Sequence, residues 1–131
     1  MNLRKQFEDF GKIVSQRVWG TEYWVVNHPL YCGKVFEIYP MSESSKHMHK
    51  IKNETFMCTD GIIQVETWPE GSDRMGQITV LRGWAKDSID IPAGMYHRFS
   101  NYENTPAWVT EFSTHHDDAD TYRLEESRRF A

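Results

Sequence analysis

The chain has 131 residues, a formal net charge of −4 and 14% aromatic residues. This length fits one domain that buries its own core, so disulfides or a structural metal are not needed for folding. The sequence has no basic stripe, no apolar run of the roughly 20 residues that span a membrane, and no signal-peptide core at its N-terminus. We therefore expect neither nucleic-acid nor membrane partners, and a cytoplasmic location.

The chain begins with a helical pattern and continues with short strands. Leu3, Phe7 and Phe10 recur at helical spacing, which predicts a short amphipathic helix within residues 2–14. Beyond it, aromatic and β-branched segments alternate with turns that contain Gly, Pro and Asp, as strands do. The predicted strands cover residues 18–27, 30–39, 54–59, 62–68, 77–81, 87–91, 95–100 and 106–113.

Many short strands at even spacing predict an all-β sandwich or barrel. Asp60-Gly61 between two apolar segments predicts a hairpin. Residues 1–131 form a single predicted domain, with the barrel core over about 18–114. The polar residues 115–131 are expected to form a tail or a surface helix. Cys32 and Cys58 both lie in apolar stretches, which is typical of buried free thiols.

Strand alternation places three charged residues on apolar faces. Lys34, Glu54 and Glu111 each share a face with apolar residues of their own strand. A charge on such a face is costly if it is buried without a partner. A polar site inside the barrel would account for all three residues together.

A histidine and glutamate pattern predicts a metal site. His47 and His49 are two residues apart, so on a strand both imidazoles project to the same side. Glu54 follows at the start of the next strand, and His97 comes much later, after a Pro-Ala-Gly turn. Three imidazoles and one carboxylate suit one divalent metal, and the ligand set does not choose among Mn²⁺, Fe²⁺, Co²⁺, Ni²⁺ and Zn²⁺, of which we expect Mn²⁺. A His-x-His pair alone is often only a surface pair.

The residues around these ligands make the pattern specific. Gly61 closes the first block, and Pro92, Gly94, His97 and Asn101 form the second. The two blocks resemble the signature motifs of the cupin superfamily over roughly residues 32–112. The resemblance implies a small single-domain cupin barrel, that is, a double-stranded β-helix or jelly roll, with the metal ligands His47, His49, Glu54 and His97.

Two turn positions depart from the cupin motifs. The first motif usually opens with a glycine, where this chain has Met41-Ser42-Glu43 after Pro40. The second usually has a glycine six residues before its proline, where this chain has Lys86. Both departures affect turns and leave the ligands intact.

Further strings are similar to the sugar-isomerase branch of the cupins, including D-lyxose isomerase-like and mannose isomerase-like proteins. The match spans most of the chain, from Trp19 to Arg123, and the strings that carry it are VWGTEYWVVN, LYCGK, HMHKIKNE and EFSTHHDDADTYR. The resemblance implies a metal-dependent aldose–ketose isomerase for D-lyxose and D-xylulose, or for D-mannose and D-fructose, acting by an enediol proton transfer. Glu111 is then the candidate base, and Lys34 is the candidate for stabilising the enediolate or moving a hydroxyl proton.

Simpler roles remain open for these residues. Glu111 could pair with Arg98 or Arg123 on the surface, and Lys34 could be solvated. His115 and His116 are expected to be exposed, although they could line the mouth of the barrel. Lys46, Lys50, Lys52 and Arg98 are the side chains that could meet a phosphate at the mouth.

Two other classes of protein share the same ligand set. A cupin metal-dependent dioxygenase is the main rival, and a non-catalytic sugar-binding cupin is the third candidate. We also expect a homodimer, because the aromatic segment 18–27 could form an apolar edge strand that a second copy covers.

Overall fold

The structure is a computed structural model, and it describes residues 2–130. Met1 and Ala131, the two ends of the predicted domain and tail, lie outside the described residues. One α-helix and two short 3₁₀ helices accompany the strands; the helix α1 is Leu3–Asp9, and the 3₁₀ helices are Gly83–Ala85 and Asp118–Asp120. The strands are β1 Val14–Gln16, β2 Gly20–Asn27, β3 Cys32–Ile38, β4 Ser42–Glu43, β5 Lys46–Met48, β6 Glu54–Asp60, β7 Ile62–Trp68, β8 Gln77–Arg82, β9 Ser88–Ile91, β10 Tyr96–Asn101, β11 Ala107–Ser113, β12 Tyr122–Glu125 and β13 Arg128–Arg129.

The strands form two antiparallel sheets. The first has the order β1-β2-β3-β11-β6-β9, and the second contains β12-β5-β10-β4-β13 with β7 joining β10 to β8. The prediction of an all-β fold with a short N-terminal helix is therefore confirmed. Among residues 2–130, no helix is both long and apolar enough to cross a membrane.

Strict alternation along the strands builds the core between the sheets. In β3 and β6 every second side chain is buried, as the two-residue period of a strand requires. Four buried rings meet in the middle of this core, where Trp19 packs edge-on against Phe99 with centroids 4.7 Å apart, and Phe36 packs against Phe56 at 6.0 Å. The apolar core thus fills one end of the space between the sheets and leaves the other end to polar side chains.

Replacing Ile38 by alanine is expected to lower the free energy of unfolding by about 2–5 kcal/mol. Ile38 is fully buried in the core, so the change removes packed methyl groups and leaves a cavity. Urea unfolding measures the loss. Ile51→Ala is the matched control, since Ile51 is 78% exposed, and an equal loss in the two variants would contradict the assignment of the core.

The Asp60-Gly61 turn forms, but the predicted hairpin is wrong. Gly61 has a φ of 78°, a left-handed conformation that favours glycine, and an added Cβ would lie 3.0 Å from the Cα of Ala107. However, β6 pairs with β11 and β9 in one sheet, while β7 pairs with β10 and β8 in the other. The turn therefore carries the chain from one sheet to the other.

The two departures from the cupin motifs coincide with the two non-glycine residues that have positive φ in the described chain. Met41 has a φ of 52° and Lys86 a φ of 55°. The left-handed backbone conformation is disfavoured for residues that have a Cβ, so glycine is the residue usually found there. Lys86 is held by its own side chain, whose Nζ donates to the carbonyl oxygens of Gly83 and Thr59. Both turns therefore form without glycine.

The polar C-terminal residues are neither a tail nor a surface helix. β12 pairs with β5, and β13 pairs with β4, so the segment extends the second sheet. Arg128 Nε donates to Glu43 Oε1 at 2.7 Å, and Phe130 stacks on Tyr102 with centroids 5.2 Å apart. Main-chain pairing and ion pairs hold this segment, and a polarity pattern does not reveal them.

Residues 18–27 do not form the exposed edge strand that the sequence predicts. β2 lies between β1 and β3, so this segment is internal and is not an edge. The homodimer stays a prediction, without the edge strand that motivated it. Among the described residues β8 pairs only with β7, and its Ile78 and Val80 side chains are exposed.

Candidate metal centre

The fold brings His47, His49, His97 and Glu54 together at the polar end of the core. His47 lies on β5 directly opposite His97 on β10, and His49 follows just beyond the end of β5. One ring nitrogen from each of the three histidines lies within 4.8 Å of the others. Glu54 is the first residue of β6, and its Oε1 is 2.7 Å from His97 Nε2 and 3.8 Å from His49 Nε2. The four residues that the sequence predicted as ligands thus face one point.

Each of the three imidazoles is oriented by a main-chain carbonyl oxygen. A carbonyl can only accept, so the Nδ1 atom beside it carries the proton and Nε2 keeps a free lone pair. Such hydrogen bonds fix the tautomer and the ring orientation of a metal-binding histidine. The pairs are His47 Nδ1 to Ser45 O at 2.8 Å, His49 Nδ1 to Asp120 O at 3.1 Å, and His97 Nδ1 to Met95 O at 3.1 Å.

The atoms at the centre of this cluster that could bind a metal are poorly satisfied by hydrogen bonds. Both carboxylate oxygens of Glu54 and the Nε2 atom of His97 are buried without a well-formed hydrogen bond to any of residues 2–130, and of the three only Glu54 Oε2 has a cation beside it, the Lys52 ammonium at 3.1 Å. With the His97 proton on Nδ1, the lone pairs of His97 Nε2 and Glu54 Oε1 face each other at 2.7 Å, and two such buried acceptors require a reason. A divalent metal bound to the imidazole nitrogens and the carboxylate would satisfy them, and the set therefore fits a metal with mixed nitrogen and oxygen ligands.

The charge states of these residues suit metal binding at neutral pH. Burial lowers the pKa of His49 to about 4 and the pKa of His47 well below its usual range, so both imidazoles are neutral. Burial alone would raise the pKa of Glu54, but its close neighbours, the His97 ring and the Lys52 ammonium, outweigh it and hold this pKa well below its usual range. Neutral imidazoles and an ionised carboxylate are the forms that bind metals.

In the metal-free protein, acidification from pH 6.5 to about 4 is expected to lower the stability contributed by His49. Its pKa falls from 6.5 to about 4 on folding, so the unfolded chain binds more protons in this window. Stability then decreases as the pH falls. Urea unfolding at both ends of the window should show a smaller loss for His49→Gln than for the unchanged protein, and equal losses would contradict a buried neutral His49.

Lys52 joins this cluster to Glu111, which is a contact that the sequence analysis missed. The buried Lys52 Nζ is 3.1 Å from Glu54 Oε2 and 3.4 Å from Glu111 Oε2, and it donates to His116 Nδ1 at 3.0 Å. The sequence indicates a phosphate contact at the mouth for Lys52, whereas the structure buries this side chain, which is 3% exposed. Its position two residues before Glu54 in HMHKIKNE was the only signal available in the sequence.

Glu111 lies inside the barrel and does not pair with Arg98 or Arg123. It is 2% exposed, and its Oε2 accepts hydrogen bonds from Ser113 Oγ at 2.9 Å and from Lys52 Nζ. Its Oε1 makes no hydrogen bond with residues 2–130. Burial raises the pKa of Glu111, and the negative charge of Glu54 raises it further, against the opposing effect of the Lys52 and Lys34 ammonium groups.

Lys34 is buried rather than solvated. It lies beside Glu111 on the neighbouring strand, is 1% exposed, and places its Nζ 4.0 Å from the ring centroid of Trp24. Its ammonium forms no hydrogen bond or ion pair with residues 2–130. A desolvated cation held against an aromatic face gains a cation–π interaction and keeps its donors available.

The two neighbouring histidines of the EFSTHHDDADTYR string have different environments. His115 is exposed, as expected, and its Nδ1 contacts the carbonyl oxygen of His28. His116 is buried, contrary to expectation, because it packs edge-on against Trp24 and donates from Nε2 to Asp118 at 2.7 Å. Only the second of the pair therefore belongs to the site.

A cavity of about 500 Å³ connects these groups to the surface. His47, His49, Glu54, Lys34 and Glu111 line its inner wall. Its volume lies within the range of pockets that hold small-molecule ligands. The cavity is also lined by residues from the N-terminal part of the sheet and from the C-terminal segment, which include Arg17, Glu22, Asp118, Arg123 and Glu126.

The comparisons with known proteins agree on the fold. No protein-family model matches the chain, and no curated protein matches it in sequence. Among solved structures, the capsular polysaccharide assembling protein CapF from Staphylococcus aureus matches with a TM-score of 0.78 and 22% identity, over 87% of this chain and 32% of CapF. Oxalate decarboxylase from Bacillus subtilis matches with a TM-score of 0.73 and 17% identity, over 90% of this chain and 31% of the decarboxylase.

A third solved structure matches along most of its length. It is an uncharacterised Klebsiella pneumoniae protein with a double-stranded β-helix domain, with a TM-score of 0.68 and 14% identity, over 92% of this chain and 95% of that chain. This chain spans about a third of the length of CapF and of oxalate decarboxylase. The chain therefore has the double-stranded β-helix fold that the cupin resemblance implies. Within that fold it carries a histidine triad able to bind a metal.

Proposed function

We propose that this protein is a metal-dependent aldose–ketose isomerase acting on a small sugar of the D-lyxose and D-xylulose type or the D-mannose and D-fructose type. One observation carries the proposal: the buried carboxylate of Glu111 lies on the cavity wall, joined through Lys52 to the metal-ligand set. A binding protein for neutral sugars has no need of a buried carboxylate with a raised pKa beside a metal centre.

Glu111 is the proposed base of the reaction. In the open-chain aldose Glu111 takes the proton from C2 while the Lys34 ammonium gives a proton to the carbonyl oxygen O1, which forms the enediol. Glu111 then returns its proton to C1, and the hydroxyl proton of O2 passes back to Lys34 as the carbonyl forms at C2, so both side chains are restored and no atoms or electrons are gained or lost. Ser113 and Lys52 hold Oε2, which leaves Oε1 to accept and return the proton. A raised pKa suits a carboxylate that must both take and give a proton.

Lys34 is the proposed partner for the negative charge that develops on the sugar oxygens. Its buried ammonium faces the cavity and has no competing anion in contact. A preorganised cation in a water-poor site stabilises developing charge more strongly than the same cation in water. Lys52 is less suited to this role, because Glu54 and Glu111 already neutralise it.

A divalent metal held by His47, His49, His97 and Glu54 would supply Lewis-acid polarisation of the sugar carbonyl. Mn²⁺ is proposed first. One matched structure of oxalate decarboxylase is described by its Mn(II) centres, although that description belongs to the decarboxylase. The proposal also includes a cytoplasmic enzyme that works as a homodimer.

NMR detection of aldose–ketose conversion tests this proposal. The protein is stripped of metal, reloaded with Mn²⁺, and incubated with D-lyxose, D-xylulose, D-mannose, D-fructose and hexose 6-phosphates. We expect the Mn²⁺-loaded protein and the His115→Ala variant to convert a sugar, and we expect the His97→Ala variant to have lost this conversion. His115 is exposed and outside the ligand set, so it provides the matched control.

The rival classes give different results in the same preparation. Metal bound without conversion of any sugar would overturn the isomerase and favour a sugar-binding cupin. Oxygen consumption by the iron-loaded protein, again without isomerisation, would favour a dioxygenase.

A further inference from the structure

The segment that follows the last barrel strand returns to the metal centre. The 3₁₀ helix Asp118–Asp120 is capped by Asp117, whose side chain accepts a hydrogen bond from the main-chain N–H of Ala119. Asp117 is exposed, whereas Asp120, at the other end of this turn, is 7% exposed. A buried carboxylate requires compensating donors, and those of Asp120 come from the chain between two proposed ligands.

Three consecutive main-chain N–H groups converge on the Asp120 carboxylate. Oδ1 accepts from Lys50 at 2.9 Å and from Ile51 at 3.2 Å, while Oδ2 accepts from Ile51 at 3.1 Å and from Lys52 at 3.0 Å. Hydrogen bonds to an ionised acceptor are roughly twice as strong as neutral ones. The carboxylate therefore fixes the path of the chain over residues 50–52.

The same residue also orients a proposed ligand. The main-chain oxygen of Asp120 accepts from His49 Nδ1 at 3.1 Å, which leaves His49 Nε2 for the metal. The fixed turn lies between His49 and Glu54, and it ends at Lys52, whose ammonium contacts both Glu54 and Glu111. Asp120 thus holds His49 through its main-chain oxygen, and through its carboxylate it holds residues 50–52, which lead from His49 towards Glu54.

We propose that Asp120 is a positioning residue of the metal centre, which aims His49 at the metal and places Lys52 between the carboxylates of Glu54 and Glu111. The first effect concerns metal binding alone. The second rests on the proposed isomerase function, because only there does the placement of Glu111 matter for turnover.

The test compares Asp120→Asn with Asp117→Asn, two identical changes in one turn. At position 120 the amide NH₂ would oppose a main-chain N–H, whereas at position 117 the amide oxygen can still cap the 3₁₀ helix. Mn²⁺ affinity of the metal-stripped proteins is measured by competition with a chelating dye. Affinity is expected to fall about 10–100-fold for Asp120→Asn, as for other residues that orient ligands, and to change less than about threefold for Asp117→Asn.

A second readout separates positioning from a general loss of stability. The EPR spectrum of bound Mn²⁺ is expected to change in Asp120→Asn, and circular dichroism reports the folded fraction. A folded Asp120→Asn protein with unchanged affinity and an unchanged spectrum would overturn the proposal. If Asp120→Asn does not fold, Asp120→Ala is measured in the same way and against the same criterion. Affinity does not depend on turnover, so failure of the isomerase proposal would leave this result interpretable.

Discussion

Replacing His97 by alanine is expected to weaken Mn²⁺ binding by more than about 100-fold, since changes to residues that merely orient ligands already cost about 10–100-fold. His97 is 1% exposed, and its Nε2 lies at the centre of the cluster, 2.7 Å from Glu54 Oε1 without a hydrogen bond. Alanine removes this nitrogen and leaves Glu54 without its nearest partner. Metal content after dialysis and chelator competition measure the loss.

The control for this variant is His115→Ala, because His115 is an exposed histidine of the same chain. It should bind Mn²⁺ as the unchanged protein does. Metal binding in His97→Ala at close to the original affinity would show that the metal binds elsewhere, and the assignment of the centre to these four residues would fail.

Replacing Glu111 by glutamine is expected to reduce kcat for isomerisation by about 10²–10⁴-fold, the usual contribution of a general base. Glutamine has nearly the same shape and can still accept from Ser113, but it cannot take a proton from carbon. Metal content should stay unchanged, since Glu111 is separated from the ligands by Lys52. NMR rates and metal analysis of the same preparation distinguish the two effects.

Glu103→Gln is the matched control for this change, since Glu103 is exposed in a loop. It should keep full activity. Turnover by Glu111→Gln near the original rate would remove Glu111 from the mechanism, and loss of metal in that variant would assign Glu111 to the metal centre instead.

The eight strands predicted from the sequence correspond closely to β2, β3 and β6 to β11, because alternation is a direct consequence of burying one face of a strand. The short strands β1, β4, β5, β12 and β13 were not predicted as separate elements. Two to four residues carry too little periodicity to be recognised, and all of these strands except β1 pair with partners far away in the chain. The sheet crossing at Asp60-Gly61 was missed for the same reason, since a turn sequence fixes local geometry and not the partner strand.

In the candidate site, too, some residues could be predicted from the sequence and others could not. His47, His49, Glu54 and His97 were predicted as ligands, because the spacing of these residues in the sequence is itself the metal-binding motif. Lys52 and Asp120 were not, because a charged residue in a polar string gives no sign that it is buried. Two of the groups that hold Lys52 in the interior, Glu111 and His116, lie 59 and 64 positions away in the chain. Contacts of this kind depend on the fold and do not appear in local sequence.

The edges of the second sheet differ in how they would meet another chain. β12 and β13 are short, their side chains are exposed, and their YRLE and RR sequences carry charges, which discourage the addition of a further strand. β8 is a six-residue edge strand with exposed Ile78 and Val80, and it has no such protection among its central residues. Heating or concentrating the protein would therefore favour aggregation by strand addition at β8, and a lysine in place of Val80 is the substitution that would keep the protein in solution.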